Sequence, residues 1–168
     1  MELNLREIIE NPGAVMKFQT ALSEDRIKNH SIISFLEAPT AVGEIKNSAG
    51  ALKLDASMRA TMLCSCDRCG ISYEKEQQLD VSFPLVIKSE TQADDSEAFV
   101  ISGEVLDVSD VLETAFILES ESKYLCREDC KGVCPGCGED LNEGSCKCQK
   151  QRDPRLAVLE QLLDTQEQ

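Results

Sequence analysis

Two segments of the chain share one local form, Cys-x-x-Cys-Gly: CDRCG at Cys66–Gly70 and CPGCG at Cys134–Gly138. Two intervening residues let both sulfurs reach one ion. A glycine after the second cysteine can take the positive φ that turns backbone N–H groups towards the thiolates. This is the chemistry of a zinc knuckle, and a structural tetrahedral zinc takes four such ligands, so each knuckle needs two more sulfurs. Cys146 and Cys148 follow the second knuckle after the loop GEDLNEGS, whose Asn142, Glu143 and Gly144 suit a reversal. They complete one expected site: Cys134, Cys137, Cys146 and Cys148. The first knuckle has no local partners, and the nearest unassigned pair is Cys126 and Cys130. Cys66, Cys69, Cys126 and Cys130 therefore form a second expected site, which would clamp the tail to the tip of a sheet hairpin. Two other partitions stay open: Cys126, Cys130, Cys134 and Cys137 on one ion, or a ribbon of Cys66, Cys69, Cys134 and Cys137. Either way the expected cofactor is Zn2+ in one or two structural sites. Cys64 is left over and reads as a small apolar side chain.

The rest of the sequence offers little other chemistry. No apolar run approaches the roughly 20 residues that span a bilayer, and MELNLREIIENPG has no basic region leading into an apolar stretch. A cytoplasmic protein is expected, and in a reducing compartment nine cysteines serve as thiolate ligands or redox groups before they serve as a disulfide framework. His30 is the sole histidine and lies far in sequence from every cysteine. There is no phosphate-cradling glycine loop and no nucleophile motif. The expectation is a protein that is not an enzyme.

Charge narrows the partners. The formal net charge is −14, and residues 80–122 hold eleven acids against one base, Lys88. A broad basic face of the kind that binds phosphate is absent. Arg127, Lys131, Lys147, Lys150, Arg152 and Arg155 do surround the cysteines; they neutralise thiolates, or they make a small contact patch for RNA or a partner.

The elements that must position the sulfurs are mostly strands. The segments AVMKFQTALS, SIISFLE, AVGEIKNS, ALKLDASMRATML and LDVSFPLVI have strand length and composition, with Gly43, Gly50 and Gly70 punctuating a meander. The tract KSETQADDSEA reads as an acidic loop near 88–98. Asp107 or Ser109 caps a helix over 109–119, whose Val111, Leu112, Ala115, Phe116 and Leu118 share one broad face. Asp153 and Pro154 begin a last amphipathic helix within 151–168. The expected fold is α+β: a predominantly antiparallel sheet with one packed helix and a cysteine-rich tail ending in a helix. By segment, 1–122 is a β-rich body, 123–150 the zinc-binding part and 151–168 the terminal helix.

The ordered series CDRC, DVSDVLETAFILE, CREDCKGVCPGCGEDLN and DPRLAVLEQLL resembles the YceD family, described as large ribosomal RNA subunit accumulation proteins. The resemblance implies a bacterial-type factor needed for normal levels of 23S ribosomal RNA, with no established enzymatic activity. It also implies metal sites that stabilise the fold, because family members vary in their cysteines. Since a surface of −14 repels phosphate, the expected partner is a basic ribosomal or rRNA-processing protein, met through residues 80–122. Two rivals from other classes are a zinc-thiolate redox sensor and a zinc ribbon that contacts RNA through Arg127, Lys131, Lys147 and Lys150.

Overall fold

Alternation of apolar and polar residues governs the middle of the chain. The computed structural model describes residues 1–87, 99–101 and 103–148. Strand β1 (Glu2–Asn4) and helix α1 (Arg6–Glu10) come first, then β2 (Val15–Ala21), α2 (Glu24–Ile27), β3 (Ile32–Phe35) and β4 (Thr40–Ser48). The two longest strands, β5 (Ala51–Ser65) and β6 (Ser72–Ile87), precede β7 (Phe99–Ile101), β8 (Val105–Asp107) and α3 (Val108–Glu119). Among the described residues a six-stranded sheet runs β2-β4-β5-β6-β7, with β3 also on β5, and β1 pairs separately with β8. The ladders are antiparallel except β6–β7, which is parallel. The fold is α+β with a mostly antiparallel sheet. The acidic tract of 88–98 and the expected helix of 151–168 lie outside the described residues.

From Leu52 to Cys64 every even-numbered residue of β5 is buried, as the period of two requires when one face of a sheet is covered. Val108, Val111, Leu112, Ala115 and Phe116 of α3 join those residues in one core. Asp107 caps α3 by accepting from the Ser109 and Asp110 N–H groups at 3.1 and 3.4 Å. Leu118 is a correction: it is 75% exposed. At about 100° per residue it falls roughly a quarter-turn from the middle of the buried stripe. Arg26 of α2 spans Asp110 at 2.8 Å and the buried Glu113 at 2.9 Å. Glu113 also accepts from the Ser23 N–H at 2.7 Å, so its charge inside the protein is partnered twice.

Gly43 corrects a second expectation, because it does not punctuate a turn. It sits inside β4 opposite Ala56, and a Cβ there would stand 2.6 Å from both Phe18 Cζ and the Asp55 carbonyl oxygen. The absence of a side chain lets the Phe18 ring lie on the strand. The β4–β5 reversal is instead the pair Ala49-Gly50, with φ of 53° and 94°, the double left-handed form of a tight hairpin turn. The buried Asn47 secures it by accepting from the Gly50 N–H at 2.8 Å while donating to the Ile8 oxygen at 2.7 Å. Gly43→Ala is expected to lower stability by about 1–3 kcal/mol through overpacking. Ala49→Asn should raise it by about 1 kcal/mol by easing the left-handed residue. Denaturant unfolding reads both as opposite shifts of the midpoint at constant slope.

Candidate metal centres

The tip of the β5–β6 hairpin is the first knuckle. The Cys66 N–H donates to the Ile71 oxygen at 2.9 Å and the Gly70 N–H to the Cys66 oxygen at 2.8 Å, with Gly70 at φ 74°. The second knuckle repeats the turn: the Gly138 N–H donates to the Cys134 oxygen at 2.8 Å, and Gly138 has φ 75°. One local sequence has produced one local structure twice, once on a sheet and once in a tail with little regular structure.

After α3 the chain returns to the hairpin tip and is fastened there by Asp67 and Arg68, the two residues between the first pair of cysteines. The Asp67 N–H donates to the Tyr124 oxygen at 2.8 Å. Its carboxylate accepts from the Ser31 hydroxyl at 2.5 Å and the Tyr124 N–H at 2.7 Å. The Ser31 and Tyr124 donors, with His30 and Lys123 nearby, hold Asp67 below the usual carboxylate range against the effect of burial. Arg68 Nη1 donates to the Cys130 oxygen at 2.6 Å, and its own carbonyl accepts from the Val133 N–H at 3.2 Å. Gly132 packs so closely that a Cβ would stand 2.9 Å from that carbonyl. Sequence reasoning missed both residues as fasteners, since the only signal was their place inside CDRCG.

This return brings Cys126 and Cys130 to Cys66 and Cys69. Among the described residues the sulfurs form two groups, each with all members within 4.8 Å of one another: Cys66, Cys69, Cys126 and Cys130, and Cys134, Cys137, Cys146 and Cys148. Neither of the other two partitions is formed. Cys66 and Cys130 are 3.7 Å apart, as are Cys69 and Cys126. Four sulfurs at about 2.3 Å from a tetrahedral zinc stand roughly 3.8 Å apart, whereas a disulfide needs about 2.05 Å. The donor set and spacing fit a tetrahedral thiophilic ion. Cys64 packs into the core at 0% exposure, where burial pushes its thiol up.

The sulfurs within each group differ in how readily they ionise. Burial works against the Cys66 thiolate, but N–H groups of Cys126, Cys69 and Arg68 point at it and bring it down to about 6. Burial and the sulfurs of Cys69, Cys66 and Cys130 push Cys126 up to about 12. In the second group the Gly136 and Cys137 N–H groups, with the Cys146 thiol, lower Cys134 to about 6. The Cys137 sulfur, with burial and Cys134, raises Cys148 to about 12. In each group one sulfur ionises readily while another resists. A bound dication displaces the remaining protons and removes that repulsion.

The two groups differ in exposure. Cys66 and Cys130 are buried, whereas Cys137 and Cys148 are exposed. Of the basic residues, Arg127 is half-exposed and 3.7 Å from Asp129, while Lys131 and Lys147 are exposed; Lys150, Arg152 and Arg155 lie outside the described residues. A hollow of about 630 Å³ over the open sheet face is lined by Lys17, Glu44, Asp55 and Asp80 among others, and no cysteine reaches it. Among the described residues no helix is long and apolar enough to cross a membrane.

Comparison with known proteins adds a family. Residues 54–163 match the family described as "Large ribosomal RNA subunit accumulation protein YceD". The chain is similar to "Uncharacterized protein YlbN" of Bacillus subtilis, with 22% identity over 97% of this chain and 96% of the relative. It is also similar to "Uncharacterized protein Rv2926c" of Mycobacterium tuberculosis, with 29% identity over 97% of this chain and 81% of the relative. No solved structure gives a significant match.

The two groups close loops of very different length, and their energetic weights should differ accordingly. Cys66 and Cys130 are 64 residues apart, while Cys134 and Cys148 are separated by 14. Loop-closure entropy alone makes the longer clip worth about 1.3 kcal/mol more. Cys130→Ser and Cys148→Ser should each remove one ion per chain, and Cys130→Ser should cost more stability, read by elemental analysis and denaturant unfolding.

Proposed function

Because the chain belongs to the YceD family, we propose that it is a non-enzymatic factor supporting the accumulation of 23S ribosomal RNA, acting through a basic protein partner and carrying structural zinc. The family match carries this reading: residues 54–163 include all of the β5–β6 hairpin but its first three residues, together with α3 and both cysteine groups. Zinc suits eight thiolates in closed, tetrahedral groups, since a structural site offers no position to a substrate. Two zinc–tetrathiolate centres would each add a charge of about −2 to a chain already at −14, which favours a basic partner over naked phosphate.

The acids of the stretch 80–122 do not all face such a partner. Asp107 holds the N-terminal amine at 3.1 Å, Asp110 and Glu113 hold Arg26, and Glu121 holds Lys75 at 2.6 Å. Asp80, Glu104 and Glu119 are exposed and carry no ion pair among the described residues. They supply the described part of the contact surface.

A second reading, a zinc-thiolate redox sensor, draws on the exposure of Cys137 and Cys148, which an oxidant can reach. It differs in requiring zinc release and disulfide formation at low oxidant to switch on a new binding activity.

Depletion of the protein should lower the ratio of 23S to 16S ribosomal RNA, and the wild-type chain should restore it. An unchanged ratio removes the ribosomal reading. Purified protein at physiological salt should capture a basic ribosomal or processing protein and leave protein-free 23S RNA unbound. Tight capture of the RNA alone overturns the choice of partner.

A further inference from the structure

The loop that closes the second cysteine group reaches into the first. Asn142 lies between Cys137 and Cys146 in the chain, yet its Nδ2 stands 3.5 Å from the sulfur of Cys130. Neighbours fix the orientation of the amide. The Lys131 backbone N–H can only donate, and it does so to Asn142 Oδ1 at 2.7 Å. The Nδ2 hydrogens are left for the Asp140 carboxylate at 2.7 Å and for Cys130. Asp140 Oδ1 also accepts from the Asn142 backbone N–H at 2.8 Å. The loop as a whole lies against the first group's tail segment, because the Leu141 N–H donates to the Gly132 oxygen at 2.9 Å and Val133 bridges to Asp140.

The geometry points to Asn142 as a positioning residue that couples the two metal centres: the loop folded by the second centre supplies a hydrogen bond to a ligand sulfur of the first. This inference rests on the reading that both cysteine groups hold a metal ion. An N–H aimed at a thiolate draws charge from the sulfur and holds it in place, as outer partners of metal ligands do. Emptying the second centre releases the sulfurs that pin residues 137 and 146, the loop loosens, and Nδ2 withdraws from Cys130. The first centre then loses its ion faster. By linkage the effect runs both ways, since an occupied first centre helps to hold the loop that folds the second.

The test uses the full chain loaded with zinc. Elemental analysis comes first: a content of one ion per chain overturns the two-metal reading and the coupling with it. With two ions bound, release to a chromophoric chelator is followed in the wild type, Cys148→Ser, Asn142→Ala and the double variant. Cys148→Ser and Asn142→Ala are each expected to speed loss from the first centre by about 10- to 100-fold. The double variant should be no faster than either, because both act through one contact. Effects that multiply in the double variant overturn the coupling while leaving two metals in place. Cobalt(II) in place of zinc supplies a readout that the fold of the loop alone does not move. Removing the N–H from Cys130 enriches its sulfur in electrons, so the sulfur-to-cobalt absorption band of Asn142→Ala should shift to lower energy. A band unchanged from the wild type, with unchanged release, overturns the assignment of Asn142.

Discussion

Mutual repulsion among closely spaced sulfurs is the constraint on which the arrangement of the tail depends. Four sulfurs within 4.8 Å of one another repel one another when ionised, and a bound cation would offset that repulsion. The residues from 120 to 148 contain no helix or named strand, so hydrogen bonds from Asp67, Arg68 and Asn142 set the path of the tail and the sulfurs close it. The sheet enters through register. Even-numbered residues of β5 face inward, so Cys64 is consumed by the core. Cys66, two residues later, stands where the strand gives way to the turn.

Charge is handled differently inside and outside the body. Near α3 the acids are matched to a few cations, with Arg26 serving two carboxylates at once and Lys75 lying 5.0 Å over the Tyr124 ring while it meets Glu121. Such pairs contribute little each when exposed. Their weight is greatest at Glu113, whose carboxylate is almost fully enclosed and which would be costly to bury alone. What remains unmatched among the described residues is a diffuse negative surface, the feature on which the proposed basic partner rests.

Much of this was legible in the sequence because it is local. The Cys-x-x-Cys-Gly form dictates its own turn, the alternation of β5 dictates its face, and Asp107 caps the residues directly after it. Features that depend on distant neighbours were not legible. Gly43 reads as punctuation until Phe18 from another strand is seen lying on it. Leu118 counts as part of an apolar stripe until the limited width of the core leaves it outside. Asp67 reads as a spacer between cysteines, and only the return of Tyr124 shows what it holds. Asn142 was legible as a reversal residue, which it is, but its contact with Cys130 crosses from one sulfur group to the other and has no mark in the spacing.

The separation of 64 residues between Cys66 and Cys130 also has a meaning in time. A chain made at about 5–20 residues per second leaves the hairpin thiols without their partners for roughly 3–13 s. During that interval the first knuckle is a two-sulfur half-site, able to hold an ion only weakly and open to exchange with any passing disulfide. The second group, spanning only residues 134 to 148, is complete within about 1–3 s of its first cysteine. Synthesis therefore leaves one half-site waiting, and the two sulfur groups are completed only 18 residues apart, at Cys130 and Cys148.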